Sequence, residues 1–351
     1  MSASKLRIGI VGLDHWYTAN TLAARIAAHE RCELAGVADE DESHAREVAA
    51  KAGVPGVATG DARRLLEDDS IDVIASFISS EKNPAICVGA AERGKHILSI
   101  KPLATTLEDA DRIVQAVRAN NVKFLPAESR SRLSPHNQTL KRWFAEGRFG
   151  TLITASFSLW STLPMRWPGD HNPGWFADPA RCPGGAWIDH SIYSLDLLRW
   201  LIGEEVASIG GVVANLKFKD IPVEDYGIAH AVFEGGAIAT IEDTWHRPGS
   251  AFRTAVTMVG TEGGLLQDST TGKLALTGSF PPFTGWVHVT PEAAHADGLD
   301  HLAAIVRDEA EPVATVEDAW RNLAVCLAFY DAARKGTAVR PAAPATQGVT
   351  R

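Results

Sequence analysis

Along the first third of the chain, short apolar runs alternate with longer stretches in which alanine and leucine recur at helical spacing. The runs 6–11, 33–38, 71–78, 96–100 and 122–126 read as buried strands. Helices are predicted over 18–29, 41–52, 61–67, 84–93 and 107–119. Glu42 and Ser43 suit the start of the second helix, and Gly94 the end of the fourth. Continuous apolar strands separated by helices of this length call for a parallel sheet covered on both faces.

Past Pro126 the rhythm changes. An amphipathic helix over 134–146, opened by Pro135 and closed by Gly147, precedes a strand that alternates over 151–159. The stretch 161–185 contains five prolines and reads as a long irregular loop. A helix over 187–201 leads into strand-like runs at 206–216, 227–233, 236–245, 252–260, 264–268 and 273–277. With no helices between them, these runs predict a mostly antiparallel sheet. A helix over 316–335 ends the ordered chain, and the tail 341–351 is expected to fray. The pattern divides into an α/β domain over 1–126 and an α+β domain over 127–351, with no internal repeat.

Length agrees, because 351 residues exceed one ordinary core. The net charge is 34 − 43 = −9, without a basic run, which makes nucleic acid and anionic membrane surfaces poor partners. No apolar stretch approaches the roughly 18 residues that span a bilayer. The chain enters a strand-like run at once, with no room for a signal peptide, so a cytoplasmic protein is expected. Cys32, Cys87, Cys182 and Cys326 form no CxxC pair and read as buried thiols of a reducing compartment. Of the ten tryptophans, Trp16 alone precedes Trp143.

A buried strand followed by glycine and a helix is where backbone amides can hold a pyrophosphate. The chain offers Gly12-Leu13-Asp14-His15-Trp16-Tyr17, which keeps only the first glycine of G-x-G-x-x-G. Asp14 replaces the second, an awkward charge beside phosphate, and Tyr17, a bulky side chain, replaces the third. Asp39 ends the second strand 27 residues past Gly12, where a carboxylate can accept both ribose hydroxyls of an adenosine. The run Asp39-Glu40-Asp41-Glu42 would repel a 2′-phosphate, favouring NAD over NADP. Glu40 to Glu42 serve equally well as an acidic first helical turn.

The stretch Gly94-Lys95-His96-Ile97-Leu98-Ser99-Ile100-Lys101-Pro102-Leu103-Ala104 closely resembles G-K-H-V-x-x-E-K-P-L-A of the Gfo/Idh/MocA oxidoreductases, with Ile100 in place of the glutamate. This is the family of glucose–fructose oxidoreductase, inositol dehydrogenase and the rhizopine catabolism protein. Further matches follow in order. Arg132-Leu133-Ser134-Pro135 resembles R-F-x-P, and Gly147-Arg148-Phe149-Gly150 resembles G-x-x-G. The stretch from Gly184-Gly185 through Asp189 and Tyr193 to Asp196 resembles G-G-x-L-x-D-x-G-x-H-x-x-D, and Gly260-Thr261-Glu262-Gly263 resembles G-T-x-G. The resemblance implies a Rossmann domain followed by an open-faced sheet that covers a nicotinamide and sugar site. It implies an NAD-dependent oxidoreductase acting on a carbinol of a sugar, inositol or related polyol. Lys101 and Asp189 would be catalytic, with Tyr193 at the family's histidine position. Gly12, Asp14, His15, Asp39, Ser79, Ser80, Lys101 and Pro102 would contact the cofactor. Ser79 and Ser80, with Asn83, lie in a loop that departs from the family's A-T-P-N-x-x-H.

The chemistry is coherent by itself. Oxidising a carbinol requires removal of its O–H proton as hydride leaves carbon. A tyrosine pKa of about 10 is too high for a base at neutral pH, but an adjacent lysine ammonium lowers it. Lys101 with Tyr193 is therefore a workable acid–base pair, and Asp189 an anchor for a second hydroxyl. Read without the resemblance, Tyr193 is a half-buried aromatic at helical spacing from Asp189 and Asp196. Arg132, Trp160, Trp175, His190, His246 and His301 are the candidate substrate contacts. Trp160, Trp167, Trp175, Phe176 and Trp187, with Arg166, Asp170, His171 and Asn172, could stack on and read a pyranose. They could equally pack a subunit interface or the loop's own core.

A rival chemistry uses His190, His246 and His301 as ligands for Zn²⁺ or Mn²⁺, giving a metal-dependent lyase or hydrolase of a carbohydrate derivative with a degraded nucleotide site. The same histidines could instead bind hydroxyls or face solvent. A third class is a non-catalytic sugar-binding or regulatory protein. His29, His44, His136 and His295 read as surface residues. A sheet with one uncovered face favours a homodimer or homotetramer.

Overall fold

The computed structural model describes residues 4–249, 252–280, 284–291 and 298–344. In chain order the first elements are β1 (Leu6–Val11), α1 (Trp16–Ala28), β2 (Cys32–Ala38), α2 (Glu42–Lys51), β3 (Ala58–Thr59) and α3 (Arg63–Leu66). Next come β4 (Val73–Ser76), α4 (Asn83–Ala91), β5 (His96–Ser99), α5 (Leu107–Ala119), β6 (Phe124–Pro126) and α6 (Pro135–Ala145). Then follow β7 (Leu152–Trp160), α7 (Ala186–Ile202), β8 (Val206–Ala214), β9 (Tyr226–Phe233) and β10 (Ile238–Thr244). The chain continues with β11 (Arg253–Gly260), β12 (Gly264–Asp268), β13 (Lys273–Thr277), β14 (Val287–Val289), α8 (Leu299–Val306) and α9 (Val316–Lys335). His295 and the end of the tail, 345–351, lie outside the described residues. Among the described residues no helix is long and apolar enough to cross a membrane.

Two compact units emerge. The first holds residues 4–130, 165–183 and 298–320, and the second the remaining described residues. The sequence placed 165–183 and 298–320 with the second domain, yet both pack with the first. The reason for α8 is its apolar face: Leu299, Leu302, Ala303 and Ile305 join one core with Ile8 and Ile10 of β1 and Leu22 and Ile26 of α1.

The first unit is a six-stranded parallel sheet in the order β3-β2-β1-β4-β5-β6, a Rossmann arrangement. The strand order reverses between β1 and β4, so the loops after these two strands open a crevice. The continuous apolar run of β1 is buried on both faces, and α1 buries Ala19, Leu22, Ala23 and Ile26 at helical spacing. The short β3 escaped prediction because a two-residue strand leaves no periodicity to read.

The second unit contains an eight-stranded sheet, β14-β13-β12-β11-β7-β10-β9-β8. It is antiparallel except where β10 runs parallel to β7. The central helix α7 lies across β7, β9 and β10. Its Trp187 is fully buried, stacks on Phe329 of α9 at 3.9 Å and donates its indole N–H to the Ile241 carbonyl at 3.0 Å. Val212, Ile238, Val259 and Leu266 are exposed on the face that the strand registers turn away from Phe157 and Ile241.

Arg132, expected to touch substrate, belongs to the framework of this unit. Its guanidinium makes a bidentate pair with Asp196 (Nε to Oδ2 2.9 Å, Nη2 to Oδ1 2.6 Å), and both side chains are buried. The Asn322 amide also donates to Asp196 at 2.8 Å, and the Arg199 guanidinium donates to Asn322 at 2.6 Å. A lone buried guanidinium is costly, so Asp196→Ala should lower unfolding stability by about 3–5 kcal/mol in urea titrations. A loss under about 1 kcal/mol would put the pair in the class of surface ion pairs.

Candidate active site

The phosphate loop is built first by sterics. Gly12 has φ 78°, and a Cβ there would sit 2.6–2.9 Å from Ile78 N, Cα and Cβ, so glycine is required. Its N–H donates to Ala38 O at 2.8 Å. The Asp39 carboxylate ties the loop to the end of β2, accepting Leu13 N–H on Oδ2 at 2.7 Å and Asp41 N–H on Oδ1 at 3.0 Å. Each oxygen keeps a lone pair for a ligand hydroxyl. Burial raises the Asp39 pKa above 3.8, against the pull of those two N–H bonds, and the neighbouring Asp14 adds to the rise.

The two replaced glycines are accommodated differently. Asp14 turns back to the loop after β4, where Oδ2 accepts the Ser79 N–H at 2.7 Å and lies 3.7 Å from Arg181 Nη2. Tyr17 is 41% exposed and so stays out of the packed interior, its hydroxyl 3.1 Å from His15 Nδ1. His15 itself is fully buried, with its N–H on Phe77 O and its ring 4.9 Å from Trp175 and 5.1 Å from Phe176. Trp175, expected to stack on sugar, is 1% exposed and donates its indole N–H to the Asp14 carbonyl at 3.2 Å. His15 and Trp175 therefore support the phosphate loop from within the first unit.

A cleft of about 330 Å³ opens here, lined among others by Asp14, Asp39, His44, Lys82, Trp167 and Arg181. Trp167 lies flat on His44, ring centroids 3.6 Å apart and planes 10° apart. His44 is thus half-buried under an indole rather than a free surface residue. The segment 165–183, read as a sugar loop, contributes to this cleft.

The loops after β4 and β5 support one another. Asn83 donates to Leu103 O at 2.7 Å and Ser99 Oγ at 2.9 Å, while its carbonyl accepts from Ser76 Oγ at 2.7 Å. The Ser80 hydroxyl donates to Pro102 O at 3.2 Å. Ser79 Oγ accepts from Arg181 at 2.9 Å. Ser79, Ser80 and Asn83, expected to meet cofactor or substrate, have these polar groups bonded to protein. They hold the turn bearing buried Lys101, whose peptide bond to Pro102 is cis.

In the second unit the start of α7 is fixed by close approach. A Cβ on Gly184 would lie 2.0 Å from the Tyr330 hydroxyl oxygen, and one on Gly185 2.2 Å from Glu224 O. The buried Glu224 carboxylate accepts the N–H groups of Gly185 (2.9 Å) and Trp187 (3.1 Å) and the Tyr330 hydroxyl (2.7 Å). Burial raises its pKa, opposed by these donors. Asp189 follows in the first turn, buried, with Oδ2 accepting the Trp245 indole N–H at 3.0 Å. His190 Nδ1 lies 3.5 Å from carboxylate oxygens of both Asp189 and buried Asp243. One turn further, Tyr193 lines a cavity of about 280 Å³ together with His190, Ser194, Asn137, Thr254 and Gln267.

The other candidates go elsewhere. His136, read as surface, is buried and 3.1 Å from Gln267 Oε1. Trp160 carries the Arg253 guanidinium 4.6 Å above its ring on the sheet. His246 is exposed. His301, in the first unit, accepts the Val313 N–H on Nε2 at 3.0 Å, and burial lowers its pKa. Among the described residues no three His, Cys, Asp or Glu side chains are grouped to hold a metal ion. All four cysteines are buried outside disulfides, and burial pushes the Cys87 thiol up to about 12. Glu224, Asp243 and Arg181 were not foreseen, since each acts on a partner far along the chain.

Comparison with known proteins follows this geometry. Residues 6–127 match the family model for an oxidoreductase family with an NAD-binding Rossmann fold, and 137–266 match the GFO/IDH/MocA C-terminal domain. A scyllo-inositol 2-dehydrogenase (NAD(+)) of Bacillus subtilis is 27% identical, covering 96% of each chain. In fold, the chain is similar to GenD2 from gentamicin A biosynthesis in complex with NAD (TM-score 0.82, 22% identity, 98% of both chains). It is equally similar to levoglucosan dehydrogenase in complex with NADH and levoglucosan (TM-score 0.82, 21% identity, 97% of this chain and 100% of the other).

Replacing Glu224 by alanine strands two amides at the α7 N-terminus and should cost on the order of 3 kcal/mol in chemical unfolding. A cost under about 1 kcal/mol would show that the carboxylate is not what fixes the helix start.

Proposed function

We propose, because the chain belongs to the Gfo/Idh/MocA oxidoreductase family, that it is an NAD-dependent dehydrogenase of a carbinol in a sugar, inositol or related polyol. The observation that carries the reading is Asp39. Its two oxygens are fixed by backbone N–H groups beside a glycine whose Cβ would collide with Ile78, a cradle that fits an adenosine ribose diol. Asp39 and Asp41 line the same cleft and oppose a 2′-phosphate, which favours NAD over NADP. When bound, NAD supplies the hydride acceptor, or the donor in the reverse direction, at its nicotinamide ring.

The chain's own residues manage the proton. Tyr193, as phenolate, takes the carbinol O–H proton as hydride leaves the carbon, and returns it in reduction. Lys101, in the first unit, is the ammonium that the family resemblance assigns to the same proton transfer. Asp189, held by the Trp245 indole, accepts a second hydroxyl and fixes which ring carbon is presented. The cavity beside Tyr193 mixes Ser194, Asn137, Thr254 and Gln267 with Phe157, Leu159 and Met258. Such a lining suits a ring with apolar faces and a hydroxyl rim.

Two outcomes test this reading. In steady-state assays over a polyol panel, Tyr193→Phe should lower kcat by about 10²–10⁴-fold while NAD affinity stays unchanged. A loss below about tenfold would remove Tyr193 from proton transfer. The second concerns pH. Only ionised Asp39 accepts both ribose hydroxyls, and burial holds its pKa above 3.8. Calorimetric NAD affinity should thus be full above that raised pKa and fall as pH drops through it. Asp39→Asn should bind more weakly at neutral pH with a flat profile, and an unchanged profile would refute the assignment.

A further inference from the structure

In the phosphate loop a carboxylate, Asp14, sits where a dinucleotide brings two phosphate charges, and the loop after β4 adds a second, Glu81. A guanidinium from far along the chain lies between them. Arg181 donates from Nε to Glu81 Oε1 at 2.5 Å and from Nη2 to Ser79 Oγ at 2.9 Å, with Nη2 3.7 Å from Asp14 Oδ2. It is no buried framework pair: Arg181 is 31% exposed at its side chain and lines the same cleft as Asp14 and Asp39. Its segment is anchored to this unit along its length. The Trp16 indole N–H donates to Met165 O at 2.9 Å, Trp167 stacks on His44, and the Trp175 indole N–H donates to Asp14 O.

Together these contacts fix a cation over a loop whose own side chain is anionic. Without Arg181, Asp14, which lines the cleft, and Glu81 beside it in the loop after β4 would be two uncompensated charges. With it, the two carboxylates share one cation, and Lys82 in the same cleft is bonded to Glu40 at 2.6 Å. We propose that Arg181 is a positioning residue for the NAD pyrophosphate, its guanidinium compensating Asp14 and Glu81 so that the loop accepts a dinucleotide without its second glycine. The proposal rests on the NAD-dependent reading above. It assigns to 165–183 a cofactor role in place of sugar recognition.

The test is calorimetric binding of NAD, ADP-ribose and adenosine to the full chain, with thermal unfolding as a check on folding. Arg181→Leu should weaken NAD and ADP-ribose by roughly 10–100-fold and leave adenosine within about twofold. Arg181→Gln, which keeps a donor for Ser79 without the charge, should do the same and serves if the leucine variant does not fold. Asp14→Gly introduced beside Arg181→Leu should recover most of the lost affinity, because it removes the repulsion. Unchanged NAD binding by both Arg181 variants would overturn the proposal alone. So would a double variant as weak as Arg181→Leu, since charge would then not be the cause. Absence of NAD binding by the native chain would overturn the NAD-dependent reading and this inference together.

Discussion

Two N–H groups at the start of α7 converge on one buried carboxylate, and the placement of the second unit's central helix depends on that convergence. Glu224 receives Gly185, Trp187 and the Tyr330 hydroxyl, and the approach is close enough that neither Gly184 nor Gly185 tolerates a Cβ. The helix phase set there decides where Asp189 and Tyr193 fall, one turn apart. An external carboxylate does here what a serine or aspartate N-cap does elsewhere. It leaves Asp189, in the first turn, for the Trp245 indole. The same device recurs in the first unit, where Asp39 takes Leu13 N–H and Asp41 N–H, and in the second, where Asp225 takes three successive amides from Leu216 to Phe218.

The parallel sheet was legible because strands buried on both faces are continuous apolar runs, and β1 with Ile8 and Ile10 is the plainest case. The second sheet was legible from its succession of strands. Its parallel β7–β10 pair was not, because pairing direction depends on partners that periodicity does not name. The positions of Gly12 and Asp39 at the ends of β1 and β2 were legible since both lie within one strand–helix–strand unit. Arg132 was misread for the opposite reason. Its local motif marks a helix start faithfully, but the carboxylate that claims its guanidinium lies 64 residues away.

The segment 165–183 shows the same limit more sharply. Tryptophan, proline, arginine and histidine in a loop make a reasonable sugar site by composition. Composition cannot say that Trp175 reaches Asp14, 161 residues upstream, or that Trp167 lies on His44. Fully buried indoles whose N–H groups are already bonded, as in Trp175 and Trp187, are framework and not stacking platforms.

Carboxylates near the cofactor cleft are handled in two physically different ways. Asp39 is fixed by neutral amides, burial raises its pKa, and among the described residues its carboxylate has no guanidinium or ammonium partner of the kind Asp14 has. Asp14 and Glu81 share a guanidinium, so one of their two charges is offset where phosphate would approach. An acidic chain with net charge −9 can therefore keep negative potential at the ribose end of the cleft and reduce it at the pyrophosphate end. The defects in the glycine motif then cease to count against dinucleotide binding. Gly12 remains because Ile78 leaves no room for a Cβ, Tyr17 is harmless because it faces outward, and Asp14 is tolerable because Arg181 stands beside it.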